Sequence, residues 1–462
     1  MSPPGPVPVP MMDLIEAARA TGGTAAGERA AFSGVSTDSR VIEPGDLFVA
    51  LRGANFDGHD YVPQAIGRGA AAALVSRRVG SEREIPQVLV KDTKAALGQL
   101  AAAWRARFAL PVVAITGSNG KTTVKDMLAS VLAAHCGGRD DVLATAGNLN
   151  NDIGLPLMLL RLRERHRYAA LEMGMNHPGE IEYLSRLASP GVALVNNAHR
   201  AHIGLLGSVE AIARAKGEIY AGLRPGGMAL VNADDAFAGY WKGLAAGRSV
   251  VTFGTAGDAD VRGHVEEGQL RLVTPLDAFA VTLQVPGEHN ARNAIAACAA
   301  AFALEIPPRA IQAGLAAYAG TKGRLQARRG AGGSTVIDDT YNANPDSMKA
   351  AIRVLAAAPG RRVLVMGDMG ELGGEEAALH AEVGAFARAA GIERLLALGP
   401  LSAHAAKAFG AGATHFPAIE GLLSEARVES AKKNVTLLVK GSRFMRMERV
   451  VERLAAEGPD AA

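Results

Sequence analysis

The sequence predicts an α/β protein of three domains: a small N-terminal α/β domain, a central domain on a mainly parallel sheet, and a C-terminal domain of Rossmann-like rhythm. Three observations carry that expectation. The chain has 462 residues, about three domains of ordinary size. Short apolar runs alternate with helical patterns, as in strand–helix–strand units whose helices cover both faces of a sheet. The rhythm also restarts twice, after residue 108 and after a short polar, glycine-containing stretch at 318–323 that reads as a hinge. The expected divisions are residues 1–108, 109–320 and 321–462.

In the first division the strand-like runs are 46–51, 71–75 and 87–90, with a helical pattern at 61–68 between the first two. The second opens with 111–116, an apolar run rich in β-branched residues that stops at a glycine turn. Runs at 168–172, 192–196, 228–232 and 249–253 follow, with helical patterns between most of them. Residues 261–285 alternate polar and apolar and predict a short antiparallel extension, and a helix beginning near Asn290 closes the unit. After the hinge come a strand at 334–338 and a helix from Pro345, then a strand at 362–366 and a helix from Glu375. Strands at 394–398 and 435–439 and a last helix from Met445 complete the third division, which no G-x-G-x-x-G opens.

Bulk properties exclude several classes. Hydrophobic residues make up 48% of the chain and charged residues 21%, the balance of a chain with a core. The formal net charge is +3, from 49 basic and 46 acidic residues, with no basic arm, so nucleic acid is not an expected partner. Cys136 and Cys298 cannot form a disulfide framework and read as buried free thiols. The Pro-rich start lacks the basic and apolar regions of a signal peptide. The most apolar helical stretch, 294–304, is far shorter than the roughly 20 residues that cross a bilayer. A soluble, cytoplasmic protein, with no membrane insertion, is expected.

The chemistry begins at Gly117-Ser118-Asn119-Gly120-Lys121-Thr122-Thr123, which follows a predicted strand and precedes a helix. Glycines there let backbone N–H groups turn toward phosphate oxygens, and the helix N-terminus adds a favourable dipole. Lys121 would reach the β- and γ-phosphates, and the Thr122 hydroxyl would ligate Mg²⁺. In the longer form of this pattern a first glycine would fall at Ile115, so the loop is a shortened one. An ordinary glycine-rich turn with a surface lysine is the plain alternative, and the strand–turn–helix context favours phosphate.

The shortened loop resembles that of the Mur ligases and the related folylpolyglutamate synthetases. Further segments match in order: Leu171-Glu172-Met173-Gly174, Ala201-His202, Ala215-Lys216-Gly217-Glu218, and the run from Gly287 to Asn293. Gly323-Arg324-Leu325 and the run from Asp338 to Pro345 follow. Within the family, the runs from Tyr341 to Ser347, Val365 to Gly373 and Val439 to Arg443 look like the branch that adds D-alanyl-D-alanine. In the first division, Ser36-Thr-Asp-Ser-Arg40 and Asp57-Gly-His59 support it. The resemblance implies an ATP-dependent amide ligase of peptidoglycan synthesis. Its substrates would be UDP-N-acetylmuramoyl-tripeptide and D-alanyl-D-alanine, and a monomer is expected. The third amino acid of the tripeptide, a diamino acid such as diaminopimelate or lysine, stays open.

The same resemblance assigns roles. ATP would phosphorylate the substrate carboxylate to an acyl phosphate, which the dipeptide amine then attacks, so cations set in advance should carry much of the catalysis. Glu172, at a strand end in the same domain, suits a Mg²⁺ ligand beside Thr122. His202 resembles the ligand of a second Mg²⁺, and His199 is a neighbour without that match. Lys216 would be carbamylated by CO₂, because a free ammonium beside two Mg²⁺ ions is repelled; its plain alternative is an exposed helical lysine like Arg214. Asn293 matches an adenine contact, Arg324 a γ-phosphate contact, and Asp339 a position near the ribose or the lysine loop, with Asn342 on the same face. Ser36, Asp38, Ser39, Arg40, Asp57 and His59 would meet the uridine-diphosphate sugar. Asn148, Asn150 and Asn151 would face the peptide, although asparagines so close together also suit a turn. A kinase or nucleoside-triphosphate switch, and a non-catalytic nucleotide-binding protein, are the competing classes. The first leaves the outer divisions unexplained, and the second should lack Lys121 or Glu172.

Overall fold

The computed structural model describes residues 9–80, 85–201 and 203–455. Residues 1–8 of the Pro-rich start and His202 lie outside them. Three main sheets organise the chain, one in each expected division.

The first sheet has five strands in the order Thr24–Ala26, Gln87–Leu89, Ala72–Val75, Asp46–Val49 and Gly34–Ser36. Its strands pair in parallel except at the Thr24–Ala26 edge. The predicted helix at 61–68 is a 3-10 turn, Gly58–Tyr61, leading into the α-helix Val62–Gly67.

The central sheet has nine strands. Val112–Thr116 lies in its interior, buried at every residue, which is why its sequence is apolar up to Thr116 rather than alternating. Tyr168–Glu172 flanks it on one side and Val192–Val195 on the other, all parallel. Register sets Glu172 opposite Ile115, and Val195 opposite Thr116, so three strand ends open at one edge. The predicted extension is present as Val261–Glu266, Gln269–Val273 and Ala278–Val281, joined antiparallel. The helix Glu288–Ala303 does not close the unit. A further helix, Pro308–Ala317, packs on the phosphate-loop helix Lys121–Cys136, with the Ser130 hydroxyl donating to the Gly314 carbonyl at 2.7 Å. A Cβ at Gly314 would lie 2.3 Å from the Cα of Val131, so that packing needs a glycine.

The third sheet has six strands, parallel from Thr335–Asp339 through Val435–Lys440, Arg361–Gly367, Arg394–Leu398 and Ala413–Phe416. An antiparallel edge strand, Gln326–Arg329, adds to Thr335–Asp339. Its polar sequence, Gln-Ala-Arg-Arg, carries no apolar signal, as an exposed edge allows.

The cores do not divide in three. One continuous apolar core joins the first sheet to one face of the central one, running from Leu47 and Leu97 through Trp104 to Leu159, Leu171 and Ile181. The Trp104 indole N–H donates to the Leu162 carbonyl at 3.1 Å across that join, and Arg105 donates to the Ala188 carbonyl at 3.0 Å. The third sheet has its own core on each face. Cys298 is buried in the central core, where burial pushes its thiol up to about 12, whereas Cys136 is only half-buried. Among the described residues no helix is long and apolar enough to cross a membrane.

Candidate active site

The phosphate-loop turn ends at Gly120, whose φ of +79° starts the helix Lys121–Cys136. A side chain there would also collide with its neighbours, since a Cβ would lie 2.2 Å from Asn293 Oδ1 and 2.7 Å from Asn196 Nδ2. Lys121 curls over its own loop and donates to the Gly117 carbonyl at 2.8 Å; burial lowers its pKa. The Thr122 hydroxyl donates to Glu172 Oε2 at 2.8 Å, and Asn150 Nδ2 donates to Glu172 Oε1 at 2.7 Å. Glu172 is buried, so this hydroxyl and amide hold a carboxylate that water scarcely reaches.

The loop after Val192–Val195 fastens the phosphate loop from the other side. Asn197 takes the Ser118 N–H on its carbonyl at 3.0 Å and the Asn119 N–H on its side-chain oxygen at 2.9 Å. Asn196 Nδ2 donates to the Asn119 carbonyl at 2.9 Å and to Asn293 Oδ1 at 3.1 Å. Ser118 Oγ donates to the His199 carbonyl at 3.0 Å and accepts that residue's N–H at 2.9 Å. His199 is exposed, and Thr123 is buried in the first turn of the helix.

Lys216 is not the exposed lysine of the plain alternative. It lies on the buried side of the helix Val209–Gly217, 2% exposed, while Arg214 faces solvent. It makes no hydrogen bond or ion pair with the described residues. Burial, reinforced by the positive charge of Lys121, lowers its pKa well below the ordinary value, with Glu172 opposing. A buried amine of lowered pKa near a phosphate loop and a carboxylate is the unusual group of this site.

Two side chains arrive from beyond the hinge. Arg324 reaches Thr122 Oγ1 at 3.4 Å and lies over the Tyr341 ring, 4.1 Å from its centroid. Its Nε is buried without a hydrogen-bond partner among the described residues. Asn344 caps the helix Pro345–Ala356 through the Ser347 N–H, and its Nδ2 donates to Asn119 Oδ1 at 2.8 Å. Asn342 points away: its side-chain oxygen takes the Ala343 N–H, and its carbonyl takes Lys440 Nζ at 2.8 Å. Lys440 also pairs with Asp339 at 2.7 Å. Between the two domains lies a cavity of about 970 Å³, lined among others by Gly120, Asn293, Arg324, Asp339 and Lys440.

The first-domain residues form a separate cluster. Arg40 pairs with Asp38 at 2.7 Å and holds that carboxyl at about 2. Ser36 Oγ accepts the Asp38 N–H at 3.2 Å, and Ser39 Oγ donates to Gln64 at 2.9 Å. His59 is buried with both ring nitrogens engaged: Nδ1 meets Asp57 at 2.5 Å and Nε2 accepts the Ser76 N–H at 2.8 Å. Asn151 Oδ1 accepts the Gly154 N–H at 2.8 Å in the turn before the helix Gly154–Leu159, and Asn148 is exposed.

Sequence reasoning thus brought Lys121, Thr122, Glu172, Lys216, Asn293, Arg324 and Asp339 to one place, and it underweighted others. Asn150 meets the carboxylate, and Asn344 rather than Asn342 reaches the phosphate loop. Both stood in runs already singled out, and the discriminating signal was positional. Asn344 precedes Pro345 at a helix start, where a capping asparagine belongs.

Comparison with known proteins agrees with this arrangement. Residues 31–105 match the description "Mur ligase family, catalytic domain", residues 115–301 "Mur ligase middle domain", and residues 323–443 "Mur ligase, glutamate ligase domain". The chain is 45% identical over 433 residues to the UDP-N-acetylmuramoyl-tripeptide–D-alanyl-D-alanine ligase of Escherichia coli (strain K12), covering 92% of this chain and 94% of that one. The crystal structure of MurF from Acinetobacter baumannii superposes with a TM-score of 0.88 at 38% identity, over 96% of this chain and 99% of that one. MurF ligase from Thermotoga maritima, solved in complex with ADP, gives a TM-score of 0.78 at 28% identity, over 91% and 96%. With three domains, a shortened phosphate loop and relatives matched along nearly their whole length, the chain belongs to the Mur ligase family.

Proposed function

We propose that this chain joins D-alanyl-D-alanine to the terminal carboxylate of UDP-N-acetylmuramoyl-tripeptide, using ATP and yielding the pentapeptide precursor of peptidoglycan, ADP and phosphate. The observation that carries the reading is the meeting of Lys121, Thr122, Glu172 and buried Lys216 on the central sheet with Arg324 from beyond the hinge. The relatives matched over most of their length act on those two substrates by name.

The site suits ATP. Its cavity is large enough for a nucleotide, its turn admits only glycine at Gly120, and Arg324 brings a buried N–H that lacks a partner among the described residues. Asn293 and Asp339 line the adenosine side. Gly117, Ser118, Asn119, Gly120 and Thr123 would cradle phosphate from the loop, whereas the Asn342 side chain turns back on Ala343 and does not line the cavity. The donor set also suits Mg²⁺, a hard cation that takes one or two protein oxygens besides phosphate and water, here Thr122 and Glu172. His202 and a carbamate on Lys216 would hold a second ion. When bound, Mg²⁺ neutralises charge on the phosphates.

In the first step a tripeptide carboxylate oxygen attacks the γ-phosphorus and the bond to ADP breaks, giving the acyl phosphate. Lys121 and Arg324 oppose the charge on the moving phosphoryl group. The dipeptide amine then attacks the acyl carbon, loses a proton, and phosphate leaves from the tetrahedral intermediate. Burial favours the neutral form of the Lys216 amine, the form that would add CO₂ with release of a proton; the carbamate would replace a repelled cation with an anion. Ser36, Asp38, Ser39, Arg40, Asp57 and His59 shape the uridine-diphosphate site, His59 from behind Asp57. Asn148 and Asn151 stand toward the peptide. The working unit is a cytoplasmic monomer divided at residues 108 and 320.

An assay of ADP release with UDP-N-acetylmuramoyl-tripeptide, with and without D-alanyl-D-alanine, tests the function when the product mass is also measured. ADP should form rapidly only with both substrates, with a pentapeptide product. Equal release from ATP and Mg²⁺ alone would assign the chain to nucleotide hydrolysis instead.

A further inference from the structure

The loop that fastens the phosphate loop also grips the C-terminal domain. Arg200, three residues after Asn197, reaches across the hinge to two carboxylates. Its NH2 lies 2.7 Å from Asp346 Oδ1 and its NH1 3.0 Å from Glu382 Oε2, and its backbone N–H donates to Asp346 Oδ2 at 3.1 Å. Lys349 also pairs with Glu382. Arg200 and Asp346 are each only about a quarter exposed, at 26% and 28%, which makes this a partly desolvated, multidentate cluster rather than a lone surface pair. Asp346 stands two residues past Asn344, so one helix start makes both the Asn119 contact and the Arg200 contact.

Four residues further on, the backbones themselves touch. The Gly204 N–H donates to the Glu371 carbonyl at 2.9 Å, and a Cβ at Gly204 would lie 2.4 Å from the Gly373 nitrogen. Gly204 sits in the short helix Ile203–Leu206 and is absent from the residues of positive φ, so its own backbone does not require glycine. The approach of the other domain does. On that side Glu371 has a φ of +62°, an uncommon conformation for a residue with a side chain, and its carbonyl is the one presented to Gly204.

From these contacts we propose that Arg200 and Gly204 are positioning residues of the ligase. The Arg200 clasp and the Gly204 fit together set the C-terminal domain against the phosphate loop, so that Arg324 and Asn344 reach it. The proposal rests on reading the interdomain cavity as the ATP site. Neither residue touches the reacting atoms. Each favours the assembled arrangement, so weakening either leaves a smaller competent fraction and a higher apparent nucleotide requirement.

The test is a titration of the full chain with a non-hydrolysable ATP analogue and Mg²⁺, following the radius of gyration by solution scattering and binding by calorimetry. Wild type should compact on binding. Arg200→Met should need about ten-fold more analogue, Arg200→Lys should fall between the two, and Gly204→Ala should stay less compact even at saturation. In steady state, Arg200→Met should raise KM for ATP by a similar factor while kcat at saturating ATP stays within about two-fold. Variants with wild-type midpoints and end-points would overturn the proposal. So would a fall in kcat for Arg200→Met with compaction unchanged, which would move Arg200 into the chemistry. Binding without compaction in wild type defeats the positioning role alone; no binding defeats the ATP reading and this proposal with it.

Discussion

An amine that is 2% exposed and makes no hydrogen bond or ion pair with the described residues is costly to keep charged, and burial lowers the pKa of Lys216 accordingly. Its proposed carbamate makes two measurements informative. Lys216→Ala should lose activity by about 10²-fold or more, and short carboxylic acids at high concentration should restore part of it by filling the vacated anionic position. A carbon-13 carbamate signal should appear in wild type supplied with labelled bicarbonate and be missing from the variant; an unlabelled wild type would remove the modification. Lys121→Ala should also cost about 10²-fold or more in turnover if, as proposed, its charge acts on the phosphoryl group in transit. In the first domain Asp57 titrates at about 2 instead of 3.8, held down by the His59 N–H groups. A depressed carboxyl contributes stability above its unfolded pKa and loses it as pH falls through the folded one. The melting temperature of Asp57→Asn should therefore lie below wild type at pH 7, and the gap should narrow as the pH drops from about 4 toward about 2.

Among the elements, the helix Pro345–Ala356 has two separable duties at its N-cap residue. Asn344 accepts the Ser347 N–H as a cap and donates to Asn119 across the hinge. Asn344→Ala should lose both, with about 1 kcal/mol of stability in urea unfolding and a weaker affinity for an ATP analogue. Asn344→Asp keeps the cap oxygen and removes the donor, so it should retain stability while losing affinity; wild-type affinity in Asn344→Asp would deny the second duty. The same helix marks how much the sequence disclosed. Its start was legible because Pro at the first helical position is a local signal, and the phosphate loop was legible because its seven residues are contiguous. Lys216 could be placed on a helix, but its burial depends on what packs against that helix. Arg200 and Gly204 gave no local sign, since their partners lie about 150 residues or more away in the chain. The edge strand Gln326–Arg329 was hidden for the opposite reason: polar residues suffice where only one neighbour exists.

At the scale of the whole molecule, the shared core predicts that three sheets unfold as fewer than three units. The first sheet and the central one share a core, while the C-terminal sheet keeps its own and meets the centre through Arg200, Gly204 and Asn344. Calorimetry of the ligand-free chain should resolve two transitions, one for the fused pair and one for the C-terminal domain, and a nucleotide analogue should raise and draw together both. Three separate transitions would contradict the shared core. That core has a further consequence for what the enzyme accepts. A first domain soldered to the centre through Trp104 and Arg105 cannot slide nearer when its guest is short. If the proposed first-domain cluster is the sugar anchor, its span to the phosphate loop is a fixed gauge that the peptide between them must match. A uridine-diphosphate sugar carrying one residue fewer should dock at its anchor yet leave its carboxylate short of the γ-phosphate, binding as an inhibitor and turning over hardly at all.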